Sequence, residues 1–416
     1  MSERDPVYQG ELRQGGSPWT RGGTFDRPKV KWPRDHLFRS HENYSYDNDA
    51  AGGNFHNRIT RYWLYLMGLP VNESEVVRLF INSDDMGLRE ETEPVGNDFL
   101  NRNFPRGSRG LLYRVDDEWW FTDSWDRDNR DADWSYKGSD NSGRYRTEYM
   151  LRTQEVEDNY ADLIAFFKLI SSEKYTQEQI EEYLDPQAVL KYIAVRGYTS
   201  DWDTFTTSRG KNAYFYQRPE DRKFMFLQWD SDLAFGDPNA GFYGWRVEHW
   251  VQRPYNRRLF HEYLAFLHDQ LAKHNARFKA WLQADEDASE AYSPNPGFYL
   301  DFCANRGNAV ANEVGNDLKA VFMIKPFTPA TGTTNETILL SGTAPCTLRT
   351  VRLVQQPEAK PQWKDTVTWQ FPRVPLRLGS NTLTVEGLDG AGEVIEQIKT
   401  SILRRPANVT LSQAQK

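Results

Sequence analysis

Between positions 199 and 236 the chain alternates acidic loops with a hairpin, and that order restricts the fold more than any other stretch. Ala213–Gln217 and Lys223–Gln228 are aromatic-rich runs joined by Arg218-Pro-Glu-Asp-Arg222, a sequence suited to a turn. A helix is expected over Pro186–Tyr198, with Asp185 as its cap and Pro186 in its first turn. Ser200-Asp-Trp-Asp-Thr-Phe-Thr-Thr-Ser-Arg-Gly-Lys-Asn212 follows that helix, and Trp229-Asp-Ser-Asp-Leu-Ala-Phe-Gly236 follows the hairpin. Paired strands lie about 5 Å apart, so a hairpin brings the two acidic loops to one place. Carboxylates gathered at that density repel unless a cation separates them. A hard divalent ion, Mg²⁺ or Mn²⁺, suits such oxygen ligands. Arg209 and Lys211 add positive charge of the kind that suits phosphate. The competing reading is that Asp201, Asp203, Asp230 and Asp232 cap turns around a structural hairpin.

Composition sets the outer bounds. The 416 residues suggest two or three domains at ~100–200 residues each. A hydrophobic share of 38% with 14% aromatic residues fills real cores and excludes a fully disordered chain. Lys+Arg 51 against Asp+Glu 59 leaves a net charge of -8, which argues against nucleic-acid binding but not against a local basic pocket. No apolar run approaches the ~18 residues of a membrane span. The start Met1-Ser-Glu-Arg-Asp5 has no apolar signal core, and it would equally suit a fragment of a longer secreted precursor. Cys303 and Cys346 are expected as buried free thiols.

The texture of the chain changes twice. Residues 1–50 are poorly periodic, with one short strand expected at Arg27–Trp32 that places Lys29 and Lys31 on one face. Ile59, Tyr62, Trp63 and Leu66 keep helical spacing up to Gly68. Glu75–Asn82 reads as a buried strand and Leu111–Val115 as another, with Glu118–Phe121 a candidate continuation. Asp123–Arg146 is a long loop. Helices are expected near 158–170, 176–183 and 186–198, then over 259–282. Past Thr328 come short alternating runs at 338–340, 350–354, 366–370, 381–386 and 394–402, with Trp363 and Trp369 for a core. They read as a small β-sandwich, followed by a frayed tail from Ala407.

Helix, Asp loop with a later Asn, hairpin, then Asp followed by Phe-Gly is the order of a protein-kinase catalytic lobe. In that lobe an Asp orients the acceptor hydroxyl, while an Asn and a second Asp hold metal bridging the nucleotide phosphates. Neither His-Arg-Asp nor a strict Asp-Phe-Gly is present here.

The chain resembles the spore-coat CotH kinase family of bacteria, atypical secreted or surface protein kinases, over most of residues 20–325. The resemblance rests on Asn54–Pro70, the strand to Asn82, Gly87–Glu93 with Phe99-Leu100, and Leu112-Tyr-Arg114. Above all it rests on Asp203…Asn212-Ala-Tyr-Phe-Tyr216…Trp229-Asp-Ser-Asp232…Phe235-Gly236. It implies an α+β fold: an atypical kinase-like two-lobed domain over 1–325, an immunoglobulin-like β-sandwich over 326–405 and a flexible tail over 406–416. It implies ATP as co-substrate, Mg²⁺ or Mn²⁺ as metal, and Ser/Thr transfer to extracellular, coat or surface proteins by a secreted or surface monomer. Asp203 would be the catalytic-loop Asp, assisted by Lys211, which can touch the γ-phosphate. Asn212, Asp230 and Asp232 would hold metal, with Asp232 the principal ligand. Glu93 would pair with a phosphate-binding lysine, Lys29 first and Lys31 next, and Arg209 would add to the nucleotide site. The chain departs from the family in a longer Asp203–Asn212 interval and in lacking a double lysine near Lys29-Val-Lys31. The alternative is an inactive kinase-shaped scaffold or adhesin that binds protein or glycan.

Three further features favour plainer readings. Asp123, Asp126, Asp128, Asp131 and Asp133 lack the Gly and terminal Glu of a calcium loop and read as a solvated acidic segment. His261 and His268 are seven apart rather than at the four-residue spacing of helical metal pairs. Trp119-Trp120 reads as core or interface material before a glycan platform.

Overall fold

The computed structural model describes residues 9–16, 27–48, 54–117, 131–284 and 295–407. Glu118–Phe121, the first half of the long acidic loop and the tail beyond Ala407 lie outside these residues. The chain forms two units, residues 1–249 with 266–309, and residues 250–265 with 310–416.

The first unit opens with an antiparallel sheet of β1 (Glu11–Gln14), β2 (Pro28–Lys31), β3 (Asn43–Asp47), β4 (Ser74–Ile81) and β5 (Asp84–Thr92), in the order β1-β2-β3-β5-β4. Asn82 and Ser83 between β4 and β5 both have positive φ, 51° and 74°, the conformation of a tight hairpin turn. The expected buried strand is therefore an edge. Its burial alternates, and Phe80 remains 58% exposed, because only β5 pairs with it. β5 gives no apolar signal in the sequence because its buried end is ionic: Glu90 pairs with Arg61, and Glu91 with Arg39.

Helix His56–Leu66 crosses from β3 to β4 and buries Ile59, Trp63 and Leu64. Helix Pro186–Tyr198 is buried on nearly every side, as its run of Val, Leu, Tyr and Ile requires. Asp185 caps it by accepting from the Ala188 amide at 3.0 Å, and Pro186 occupies the first turn. Near its end, a β-carbon on Gly197 would stand 2.0 Å from the Phe242 carbonyl oxygen, so only glycine allows that approach.

A second antiparallel sheet joins β6 (Leu111–Val115), β7 (Tyr149–Leu151), β8 (Ala213–Gln217) and β9 (Phe224–Gln228) in the order β7-β6-β8-β9. β8 and β9 are buried throughout. Phe215 and Phe224 stack at 4.7 Å across them, a pairing worth about 0.5–1.5 kcal/mol beyond its buried area. The stretch expected as one helix over 259–282 is broken instead. It runs as helix Pro254–Phe266, π-helical Leu267–Lys273 and helix Ala276–Ala284. The Asn275 side chain starts the last piece by accepting from the Phe278 amide at 2.7 Å.

The second unit holds β10 (Met323–Ile324), β11 (Thr337–Thr343), β12 (Thr350–Leu353), β13 (Gln362–Trp363), β14 (Thr368–Pro375), β15 (Gly379–Leu388) and β16 (Val394–Arg404). They form two antiparallel sheets, β10-β11-β14-β13 and β12-β15-β16. Leu340, Trp369 and Phe371 from one sheet and Leu353, Val385 and Ile402 from the other share one core, so the C-terminal part is a β-sandwich. Both cysteines are buried and free.

Candidate active site

The hairpin register Ala213↔Gln228 sets Asn212 beside Trp229, so the two acidic loops leave the sheet side by side. Four non-glycine residues with left-handed backbone mark their ends: Ser200 (φ 52°), Asn212 (54°), Asp230 (48°) and Phe235 (59°). Each such residue costs of order 1–3 kcal/mol and persists only where its surroundings impose it. Here they do. Ser200 Oγ donates to the Asp237 carbonyl at 2.7 Å, and the Phe235 amide donates to the Thr199 carbonyl at 2.5 Å.

Arg196, fully buried in the last turns of helix Pro186–Tyr198, ties both loops together. Its guanidinium stands 2.8 Å from the Asp201 carboxylate in the first loop. It also donates to the Asp230 carbonyl at 2.9 Å, the Trp229 carbonyl at 3.3 Å and Ser231 Oγ at 2.6 Å in the second. Burial still pushes the Asp201 carboxyl up to about 6, with Arg196 opposing the rise. Asp201 is therefore a structural acid.

Asp203 differs from it. Lys211 Nζ is 3.2 Å from Asp203 Oδ2, and Asn212 Nδ2 donates to that same oxygen and to the Asp203 carbonyl, each at 2.9 Å. The other carboxylate oxygen, Oδ1, is buried with no hydrogen-bond partner among the described residues. Burial raises the Asp203 pKa, Lys211 opposes this, and the negative charge of Asp230 adds to it. Asp230 is half-buried, and its carboxylate has no ion-pair partner among the described residues. Its charge also acts on Lys29. That amine reaches over the Trp229 ring, 5.5 Å from the centroid, and is held down to about 8 by burial, Arg114 and Arg13. One ammonium, one unpaired carboxylate and one orphaned carboxylate oxygen thus meet beside the hairpin.

Comparison with known proteins gives the family. A family model described as CotH kinase protein matches residues 48–283, more than half of the chain. The chain belongs to the CotH kinase family. Among solved structures it resembles a Helicobacter pylori proinflammatory kinase, CtkA, at 7% identity and a TM-score of 0.32, over 74% of this chain and 95% of that one. A likeness so remote transfers no chemistry. A comparison with curated proteins gave no match.

As a CotH-family chain, it brings together Asp203, Lys211, Asn212, Asp230 and Lys29 from the residues singled out in the sequence. Three others go elsewhere. Lys31 turns outward, where it pairs with the exposed Glu11 at 3.4 Å, because two residues along β2 the sheet surface is already open. Arg209 is held by Asp117 and, at 3.2 Å, by Asp131, so its charge is spent on packing the loop. Glu93 forms no lysine pair among the described residues: its buried carboxylate faces Arg102 and, at 3.5 Å, His41. Asp232 is half-buried, and its carbonyl accepts from His56 Nδ1 at 2.7 Å. Among the described residues no three His, Cys, Asp or Glu side chains form a ready-made metal cluster.

Asp123, Asp126 and Asp128 lie outside the described residues, and His268 bonds the Tyr198 hydroxyl at 2.9 Å; Asp131, Asp133 and His261 sit in ion pairs. Asp131 holds Arg246 at 3.0 Å, Asp133 holds Lys137 at 2.8 Å, and His261 lies between Asp317 and Glu313. Sequence reading passed over Arg196, Asn57 and Asp116. Asp116 is 2% exposed, paired with Arg114 at 2.8 Å, and pushed up to about 6 by burial. The signal available for it was register: Val115 pairs with Ala213, so the next residue adjoins Asn212.

Proposed function

We propose that the chain is an ATP- and divalent-metal-dependent kinase that phosphorylates Ser or Thr hydroxyls of extracellular, coat or surface proteins. Family membership supports the kinase chemistry. The observation that carries the site is Asp203: Lys211 and Asn212 fix one oxygen, while the other is buried and unsatisfied. A fixed carboxylate with one unsatisfied oxygen suits a group that accepts a hydroxyl proton and aims the nucleophile. Its neighbour Lys211 neutralises it in the resting site and lies within reach of a transferring phosphoryl group.

The residues also fit a hard cation. Asp203 and Asp230 repel one another, and only the longer-range charges of Lys29 and Arg196 offset Asp230 among the described residues. Asn212 and Asp230, with Asp232, would hold Mg²⁺ or Mn²⁺, which needs only one or two carboxylates when phosphates supply its other ligands. The metal would neutralise phosphate charge during transfer. Lys29 would contact the phosphates as a point charge over Trp229. The sandwich is read as an immunoglobulin-like module, and the protein as a secreted or surface monomer.

One observation favours a second reading, a catalytically inactive scaffold: Glu93 is committed to Arg102 and His41, so Lys29 has no acidic anchor from that strand. Transfer of label from γ-³²P-ATP, into the chain itself and into casein, with Mg²⁺ and with Mn²⁺, separates the two. Label lost in Asp203→Asn supports the kinase. Nucleotide binding without any label transfer supports the scaffold.

A further inference from the structure

The acidic loop after the hairpin is held from its other side by the start of helix His56–Leu66. Asn57 Oδ1 accepts the Ser231 amide at 2.6 Å, in a buried contact. His56 Nδ1 donates to the Asp232 carbonyl at 2.7 Å, and Asn54 Nδ2 reaches the same oxygen at 3.4 Å. Asn54 Oδ1 in turn accepts the His56 amide at 3.0 Å, which fixes the first turn of the helix. The His56 ring is walled by Phe235, Phe298 and Tyr299, with centroids 5.2, 6.2 and 5.7 Å away.

These bonds bracket one short piece of backbone. Ser231 also receives Arg196 and Gln228 on its hydroxyl, at 2.6 and 2.9 Å, so its side chain is anchored to the body beneath the hairpin. Its amide and the next carbonyl belong to the helix. Asp230 lies immediately before the bracketed segment in left-handed conformation, and Asp232 lies inside it. A movement of the helix start therefore drags the backbone that aims both carboxylates. Two side chains of one helix turn thus grip the peptide groups on either side of the Ser231–Asp232 bond.

We propose that Asn57 and His56 are positioning residues: a polar latch through which helix His56–Leu66 controls the metal affinity of the Asp230–Asp232 loop. The inference rests on reading that loop as metal-binding, and it adds a regulatory handle. Whatever shifts the helix start opens the latch and loosens the metal without touching Lys29.

The test is calorimetric titration of Mn²⁺ into the full chain saturated with ADP, beside ADP titration without metal. Asn57→Leu removes the acceptor at similar size, and Asn57→Asp keeps an oxygen in place. His56→Phe keeps the ring packing and removes the donor. Loss of a bond that orients a metal ligand lowers metal affinity ~10–100-fold. Asn57→Leu and His56→Phe are expected to show that loss with metal-free ADP binding unchanged, and Asn57→Asp to recover most of it. A folded Asn57→Leu or His56→Phe chain that binds Mn²⁺ as the wild type does overturns the latch. If Asn57→Leu does not fold, His56→Phe decides. A wild-type chain that takes up no Mn²⁺ with ADP, and is indifferent to Asp230→Ala, overturns the metal-loop reading and the latch with it.

Discussion

Arg196 and Asp201 form an ion pair at 2.8 Å in which both side chains are out of solvent, 0% and 1% exposed. The pair separates two acids that the sequence presents as rivals, Asp201 and Asp203. Removing one partner of a buried pair strands the other charge at a cost of about 3–5 kcal/mol. Asp201→Ala is therefore expected to lower the unfolding free energy read from urea titration by that amount, with a fall in the amount of active protein. Asp203→Asn is expected to do the reverse, because it removes a carboxylate that Asp230 repels. Its stability should hold or rise while transfer falls ~10²–10⁴-fold, the usual contribution of a positioned base. If Asp203→Asn unfolds the chain and Asp201→Ala abolishes transfer in a stable one, the two roles are exchanged.

Lys29 gives the site a pH signature. Burial, with Arg114 and Arg13, holds its amine down to about 8, and Asp230 pulls the other way. Above that pH the unfolded chain keeps a proton that the folded chain has lost. The Lys29 contribution to stability thus rises from about 8 toward the ordinary lysine range. A bound polyphosphate favours the charged amine, so binding should take up a proton near that pH, and affinity should fall as the pH rises further. Titrating Mg-ADP at about pH 8 in buffers of different ionisation enthalpy measures the uptake. Lys29→Met should bind more weakly and show none. Equal uptake in both chains would assign the proton to another group.

In the second unit Arg258 donates to the carbonyls of Ala344, Pro345, Leu348 and Thr366. A chain ended at Lys325 loses all four acceptors and the Trp363 ring that packs on Arg258, and each lost hydrogen bond to a charged group is worth about 1.5–3 kcal/mol. No residue of the acidic loops lies beyond 325. Thermal melts should show the shortened chain destabilised, and Arg258→Leu should partly restore it while destabilising the full-length chain. No restoration would mean that Arg258 is solvated once the sandwich is gone.

The parts of the fold legible in the sequence were those with local signals. Helix Pro186–Tyr198 carried its cap, its proline and an apolar run, and the β8–β9 hairpin carried aromatic runs around a turn. β5 and β3 were illegible because their buried positions are filled by Glu90, Glu91, Tyr44 and Tyr46, whose burial depends on partners far along the chain. Helix Pro296–Lys319 was missed because Gly, Asn and Asp interrupt its pattern. The same limit applies to the site. Spacing and hairpin geometry drew Asp203, Asn212 and Asp230 together, but the partner of Glu93 is Arg102, on the short helix Asn97–Asn103, whose packing against Glu93 no local pattern encodes.

The central claim is that Asp230 and Asn212, beside Asp203, hold a divalent cation. The direct measurement is a crystal of the full chain grown with Mn²⁺ and ADP, with anomalous differences recorded at the manganese edge. A peak bonded to Asp230, Asn212 or Asp232 and to the ADP phosphates is the expected result. ADP bound with no anomalous peak among these residues, or manganese bound only at a site away from Asp230, would contradict it.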